Sequence, residues 1–389
     1  MRIFLSCQQA LRPHSAPAYS FWEFYFRNAL AEAGHEIVEA PGVDWAEGLT
    51  DLGDRRQSWL DRTWSNAAAW LKSEHAKRPV DLFLGYLFPN QVEAGALAEI
   101  RSLGIPCVNF FCDNVREFTA VPGAFRGFDL HWVPEFDAKA MYASARLAFF
   151  YAPMPVWITP ERRTLPEVEN AETVFAGSHD ELREALLDEA ASLGLKFSLY
   201  GSGWNPSAKP EPPPRRPVAA TIANQLAFLR KEGLRGFAMR ESYRRRAKPS
   251  NSWSAANAKP PLGFQDYFRV TRESQVIIGI NRYPSFRAPF SRPGRYSRLR
   301  DVEAPMLGAC YLTEQAPGLE DLFEIGAEIE TYASAAELVA KAGELQRDTK
   351  RRRLLRERGQ RRALSEHTIA RSIEKMAAAL GLRSKGRSP

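Results

Sequence analysis

The sequence predicts an α/β chain of two domains, each a parallel sheet covered by helices on both faces. Three observations carry this. Apolar runs of strand length alternate with helix-period segments along most of the chain, the pattern of a sheet whose strands are joined by crossover helices. The alternation breaks in the proline-containing stretch APMPVWITPERRTLPEVENAE and then restarts. A length of 389 residues suits two domains of ordinary size. Hydrophobic residues make up 44% and charged residues 25%, enough apolar side chain for two cores and too much for wholesale disorder. No run approaches the roughly 18 apolar residues that a membrane-spanning helix needs.

In the first half, Arg2–Ser6 reads as a buried strand and Tyr19–Ala33 as a helix, with Trp22, Phe26, Ala29, Leu30 and Ala33 at three- and four-residue steps. Gly34 stops that helix and HEIVEAP returns as a strand. A long helix follows over Arg56–Lys77, then the strand VDLFLGYLF and the helix Gln91–Leu103. IPCVNFFCDN is a strand opening onto a polar loop; FDLHWVPE is another, followed by the helix DAKAMYASA. The short apolar start before Pro13 reads as a first core strand, not as a secretory leader.

In the second half, TVFAGS is a strand, DELREALLDEAASLG a helix and KFSLYGSGW a strand. Pro206–Pro217 is expected to be loop, and RRRAKPSNSWSAANAKPP (244–261) a mobile irregular stretch. FQDYFRVTRES then reads as helix, QVIIGI as strand, the segment to Arg298 as a basic loop and Asp301–Leu307 as helix. GACYLTE and ETYA are strands, and helices over Ala335–Gln346, Lys350–Glu366 and Thr368–Leu380 finish the pattern. The expected organisation is 1–160 for the first domain, 161–366 for the second, 367–382 for a terminal helix and 383–389 for a disordered basic tail, with a cleft between the two domains.

The four cysteines, Cys7, Cys107, Cys112 and Cys310, are too few and too scattered for a disulfide framework and read as reduced core thiols of a cytoplasmic protein. The net charge of +7 is uneven. From Lys341 to Pro389 there are 15 Lys and Arg against 5 Asp and Glu, while the rest of the chain is net negative. One reading of this basic segment is peripheral contact with anionic membrane; the other is a solvated helix face and frayed tail. No nucleic-acid fold signature is present, so no specific nucleic acid is expected.

In parallel sheets ligands gather beyond the carboxyl ends of the strands. FAGSHDELR (175–183) places Gly177 and Ser178 between a strand and a helix whose amides are expected to face phosphate oxygens, with Arg183 on the first turn. YGSGW supplies Tyr200 and Gly201 at a second strand end. GINRYPSFRAPFSRPGRYSRLRDVEAPMLGACYL crowds six arginines between Arg282 and Arg300 after a buried strand. A diphosphate needs such fixed donors, so Asn281, Arg282, Arg298 and Arg300 are binding candidates. Glu303 opens a helix there, and a carboxylate can accept from both hydroxyls of a ribose.

The run R-x-R-D-x-E-A-P-x-x-G-A-x-Y-L-T-E, the following L-F-E-x-G-x-E-I stretch and the closing E-H-T-x-x-R resemble the C-terminal half of the CgeB-like (spore-maturation-type) glycosyltransferases. FAGSHDELR, YGSGW and GINR resemble that family's earlier motifs, so the likeness covers about residues 173–375. It implies a GT-B fold: two Rossmann-like domains facing a cleft, the C-terminal one for the nucleotide sugar and the N-terminal one for a glycan or other surface-associated acceptor. It also implies that no cofactor and no metal is required. In its pattern Glu303 resembles the ribose-holding glutamate. The broader group has a second glutamate eight positions earlier, where this sequence has Arg295.

The reacting carbon then needs a group from the first domain. Asp113, at the end of the buried strand IPCVNFFC, is one candidate base or charge partner, and His14, in the loop after the first strand, is its rival. His131 reads as a satisfied sheet histidine and His367 as a helix N-terminal feature. Phe21, Phe24 and Tyr25 read as core or as a sugar-stacking wall. The alternatives to sugar transfer are a nucleotide-sugar epimerase of the same shape and a non-catalytic sugar-nucleotide or nucleic-acid binding protein.

Overall fold

The computed structural model describes residues 1–14, 18–204, 252–285 and 287–382, with 226, 228–229, 233–241 and 243 between them. The expected loop Pro206–Pro217 and the tail 383–389 lie outside the described residues. Two compact units emerge: Met1–Thr159 with Ala363–Pro389, and Pro160–Arg362.

Unit 1 holds a six-stranded, fully parallel sheet in the order β2-β1-β3-β4-β5-β6. The strands are β1 (Arg2–Ser6), β2 (Glu36–Val38), β3 (Leu82–Gly85), β4 (Cys107–Phe110), β5 (Leu130–Val133) and β6 (Phe149–Tyr151). The three central strands β3, β4 and β5 are buried along their whole length, as a sheet covered on both faces requires. Helix α1 (Ala18–Glu32) turns Trp22, Tyr25, Phe26, Ala29 and Leu30 inward, and α2 (Arg56–Lys77) turns in Trp59, Thr63, Trp64, Ala67, Ala68 and Leu71. Short helices α3 (Ala94–Ser102), α4 (Asn114–Glu117) and α5 (Ala138–Ser144) complete the crossovers.

Unit 2 repeats the architecture with a parallel sheet in the order β14-β13-β10-β7-β8-β9. Its strands are β7 (Asn170–Ala176), β8 (Ser198–Tyr200), β9 (Ala258–Lys259), β10 (Ser274–Gly279), β13 (Tyr311–Glu314) and β14 (Glu330–Tyr332). A separate hairpin joins β11 (Arg282–Tyr283) to β12 (Gly294–Arg295). The helices are α6 (Glu181–Ser192), α7 (Trp253–Asn257), α8 (Phe264–Glu273), α9 (Leu299–Met306), α10 (Leu319–Leu322) and α11 (Ala335–Arg347). The core packs Leu186, Leu187 and Leu338 against Phe175, Val276, Ile278 and Leu312. Helix α12 (Thr349–Glu366) returns the chain to unit 1, where α13 (Ile369–Ala379) packs on α1 and β6.

Two expectations change. Part of the stretch expected to be irregular, 244–261, is ordered: the Ser252 hydroxyl caps α7 and bonds Glu184, and β9 pairs with β8. Residues 244–251 lie outside the described residues. The basic C-terminal segment is also less a solvated face than its composition suggests. Arg352 and Arg356 are buried on Glu169, and Arg356 also donates to the carbonyls of Arg272, Gly308 and Ser274. Arg351 pairs with Glu330 and Arg353 with Glu357. Much of that charge ties α12 to the second sheet.

Candidate active site

In unit 2 the chain order reverses between β7 and β10: β8 and β9 lie on one side of β7, and β10, β13 and β14 on the other. Loops diverge at such a point and leave a crevice beyond the strand ends. The turn after β7 and the arginine-rich segment after β10 both start there.

The turn after β7 is fixed by two glycines in contact. The Gly177 amide donates to the Tyr200 carbonyl at 2.8 Å, and Trp204 Nε1 donates to the Gly177 carbonyl at 2.7 Å. A Cβ on Gly201 would stand 1.9 Å from that carbonyl oxygen, so no other residue fits. Asp180 then caps α6, its carboxylate accepting from the Leu182 and Arg183 amides at 3.0 and 2.9 Å. These two amides are therefore engaged, and the expectation that the helix start offers them to phosphate is corrected. What faces the turn instead is guanidinium.

Arg183 is nine-tenths buried, with Nη1 donating to the Ser178 carbonyl at 2.7 Å and its hydroxyl at 3.3 Å. Burial pushes its pKa down to about 10, helped by repulsion from Arg298 and Arg300, so the three cations share one neighbourhood. Arg300 Nη1 lies 3.4 Å from where a Gly177 Cβ would be, and its Nε donates to the Tyr267 hydroxyl at 3.1 Å. Arg298 Nη2 donates to the Arg282 carbonyl at 3.0 Å, while its Nε is buried without a hydrogen-bond partner. No carboxylate among the described residues forms an ion pair with Arg298 or Arg300. Tyr267 donates to Glu303 Oε2, so one phenol links Arg300 to Glu303, which is itself buried. Burial pushes the Tyr267 pKa up, so the phenol stays protonated.

Arg282 takes a different place from the one expected. Its Nε and Nη2 grip Glu314 Oε1 at 2.9 and 2.6 Å, and Arg295 Nε reaches the same oxygen at 2.9 Å. Glu314 is fully buried at the end of β13 and also accepts from the backbone amides of Asn281 and Arg282. Asn281 is buried too, bonded to Thr313 and the Glu314 carbonyl. These residues therefore brace the hairpin behind the crevice; a buried carboxylate between two guanidiniums satisfies its own charge.

In unit 1 the reversal lies between β1 and β3. His14, in the loop after β1, places Nε2 2.9 Å from both oxygens of Asp44, with 6% and 10% of the two side chains exposed. Asp44 also accepts from the Leu11 and Glu47 amides at 3.1 and 2.9 Å. Asp113 follows β4 as the residue before α4, in the left-handed region at φ 69°. Behind it Glu135, fully buried, accepts from the Asn114 amide and side chain through Oε2.

The family model described as Glycosyl transferase-like matches residues 163–378. The chain belongs to this family. It is a glycosyltransferase, and the matched region contains every residue of the arginine-lined crevice. Among solved structures, the sucrose-phosphate synthase of Thermosynechococcus elongatus is 13% identical over 98% of this chain and 100% of that one, with a TM-score of 0.55. A glycosyltransferase of Rickettsia africae ESF-5 is 10% identical over 99% of each chain, TM-score 0.57. Anabaena Alr3699/HepE, solved in complex with UDP, is 12% identical over 98% of this chain and 100% of that one, TM-score 0.54. These likenesses show the GT-B fold. No curated protein matches.

Of the residues expected to bind a nucleotide sugar, this glycosyltransferase brings Gly177, Ser178, Arg183, Arg298, Arg300 and Glu303 together, with Tyr200 and Gly201 supporting the turn. Among the described residues no group of three or more His, Cys, Asp and Glu is placed to hold a metal ion. Tyr267, Glu314, Asp44 and Glu135 were missed. Glu314 and Glu135 stand just at or past strand ends, which was a usable signal; Tyr267 and Asp44 meet partners about 30 residues away and left none. His131 is buried as expected, and the Phe125 backbone beside it favours its protonated form. His367 precedes the Thr368 cap of α13. Tyr25 is core, whereas Phe21 and Phe24 are half-buried, Phe24 against Trp157.

Proposed function

We propose that this enzyme binds a nucleotide diphosphate sugar at the β7/β10 edge of unit 2 and moves the sugar to a hydroxyl of a glycan or other surface-associated acceptor held by unit 1. The observation that carries this is the cluster of Arg183, Arg298 and Arg300 on the Gly177–Ser178 turn. Among the described residues only Arg183 of the three pairs with a carboxylate, Asp180 at 3.2 Å, so a surplus of positive charge remains to be stabilised when a polyanion binds. The diphosphate gains charge as its bond to the anomeric carbon breaks, and donors already fixed in place favour that state. In this reading arginines, not a metal ion, stabilise the leaving group. Glu303, oriented by Tyr267, accepts from the ribose hydroxyls.

The acceptor oxygen forms the new bond to the anomeric carbon and gives its proton to a base on unit 1. His14 meets that need if Asp44 holds the Nε2 proton, because the other ring nitrogen is then the acceptor. Asp113 is the alternative. The R-x-R-D-x-E-A-P run supports a place near the CgeB-like enzymes, since Arg298, Arg300 and Glu303 all line the crevice. The neighbour HepE was solved with UDP and with UDP-glucose, which makes uridine sugars the first donors to try. Four free, buried cysteines suit a reducing cytoplasm. Exposed Lys350, Arg358 and Arg361 of α12 are the cations available to an anionic membrane.

A panel of nucleotide sugars tests the reading. Slow release of nucleoside diphosphate without acceptor, accelerated by a glycan, is expected. Appearance of a 2-epimer would make the protein an epimerase, and tight binding without turnover would make it a binding protein. Flotation with anionic vesicles tests the membrane contact, and no enrichment over neutral vesicles would remove it.

A further inference from the structure

The acceptor edge of unit 1 contains a buried polar network that sugar transfer alone does not explain. Asn114 is its centre. Its side-chain amide donates to Glu135 Oε2 at 2.7 Å and to the Phe111 carbonyl at 2.8 Å, and its oxygen accepts from the Tyr142 hydroxyl at 3.0 Å. Its backbone amide donates to the same Glu135 oxygen at 3.0 Å. Asn114, Glu135 and Tyr142 are each at most 1% exposed. The network thus joins the ends of β4 and β5 to α5 by direct hydrogen bonds. An apolar cluster would pack this space at less desolvation cost, so the network fixes a geometry.

The residue it fixes next to is Asp113. A non-glycine residue in the left-handed region is uncommon and is held there by its neighbours. The peptide on its C-terminal side is the one held by Glu135. The other oxygen of Glu135, Oε1, is buried, and the backbone amides of Asn114 and Val115 only partly offset that burial. An ionised carboxylate is costly there, and burial pushes the Glu135 pKa up to about 8, with the negative charge of Asp113 adding to the shift. The titratable groups around it are Asp113 and Cys112 from the β4 end and Tyr142 from α5.

We propose that Glu135 is the positioning residue of the acceptor edge: by holding both donors of Asn114 it fixes the left-handed turn that presents Asp113. The proposal rests on the reading of Asp113 as the acceptor-side group. Glu135 itself reaches no substrate. It works as a neutral carboxyl at neutral pH, and its ionisation places a second negative charge behind Asp113.

The test measures kcat, KM and UDP affinity of the full chain from pH 6 to 9. Glu135→Ala should lose roughly 10²-fold in kcat, the usual consequence of a misplaced group, with UDP affinity unchanged. Glu135→Gln keeps an acceptor oxygen for Asn114 and should recover most of that loss, while abolishing the fall in kcat near pH 8. An activity-independent arm follows the thermal midpoint. The unfolded chain releases the Glu135 proton at ordinary glutamate pH and the folded chain only near 8, so stability should fall as pH rises between these values, and Glu135→Gln should flatten that slope. A folded Glu135→Ala enzyme with wild-type kcat, beside an inactive Asp113→Asn enzyme, would overturn the proposal alone. Wild-type transfer by Asp113→Asn would overturn the reading of Asp113 and the proposal together.

Discussion

The two sheets share one topology and carry opposite chemistry at equivalent places. At the reversal point of unit 2 stand Arg183, Arg298 and Arg300, with Arg282 and Arg295 braced on Glu314 behind them. At the corresponding edge of unit 1 stand a histidine–aspartate pair and, two strands along, Asp113 backed by a buried carboxyl. Parallel sheets with diverging loops supply the same crevice twice; loop residues decide what enters. A cationic edge suits a group that departs as an anion, and an edge of bases suits a group that must lose a proton. Under the proposed function the comparison divides the reaction: leaving-group stabilisation in unit 2, proton removal in unit 1.

The largest expected effects break the unit 1 half. Asp113→Asn and His14→Asn both keep approximate shape and remove a proton acceptor. Whichever is the base should lose roughly 10²–10⁴-fold in transfer rate with UDP affinity unmoved. Asp44→Asn should follow His14, because the amide offers the imidazole a different hydrogen-bond partner. Kinetics on soluble acceptor, beside calorimetry with UDP, separates the cases. Equal and small losses in all three variants would remove proton transfer from this edge.

Next comes the unit 2 half. Arg300→Ala removes a guanidinium from the turn and leaves the Tyr267 hydroxyl with Glu303 alone. Loss should appear in kcat as well as in KM, on the order of 10²-fold in kcat/KM, because the charge it meets grows in the transition state. A change in KM alone would make Arg300 a binding residue only. Arg282→Ala should differ in kind: it leaves the buried Glu314 carboxylate with Arg295 as its one guanidinium partner, so a measurable drop in thermal stability is expected to accompany any loss of turnover.

The fold was legible because the central strands are long, apolar and bounded by glycine or polar turns. Arg2–Ser6, Cys107–Phe110 and Ser274–Gly279 fall within runs that periodicity picks out. The edge strands Phe149–Tyr151 and Ala258–Lys259 span three and two residues, too few to show a period, and were missed. Site residues followed a similar rule. Gly177, Arg298, Arg300 and Glu303 sit in compact motifs. The distinction between Arg300, facing the turn, and Arg282, gripping Glu314, depends on a fold-back of 32 residues that no local pattern records.

Glu303→Gln is a smaller perturbation. The amide keeps the shape but weakens a charge-assisted hydrogen bond to a hydroxyl, costing about 1.5–3 kcal/mol in nucleotide affinity. Tyr267→Phe should reproduce part of that loss, since it frees Glu303 from its orienting phenol without touching the nucleotide. UDP affinity unchanged in a folded Glu303→Gln enzyme would take the carboxylate out of the site and leave the arginines to define it.

The smallest effect on turnover belongs to His131, and it sharpens the comparison from the stability side. His131 lies on β5, beside the edge strand β6, with ring centroids of Tyr142 at 4.9 Å and Phe128 at 5.9 Å. Burial pushes its pKa down to about 4, the backbone near Phe125 opposing this only in part. The unfolded chain takes up the proton near pH 6.5, whereas the folded chain resists until about 4. Stability is therefore whole above 6.5 and falls as pH drops through this window, by roughly 3 kcal/mol at its lower end. His131→Phe keeps a planar ring, removes the two buried nitrogens and abolishes the proton uptake. The variant should unfold at a temperature close to the wild type or slightly above it at pH 7, and should gain steadily on the wild type as pH is lowered toward 4. Turnover at pH 7 should stay near normal, because the ring is two residues inside the strand end. A parallel pH dependence of the two melting points would mean that His131 ionises as freely in the folded chain as in the unfolded one.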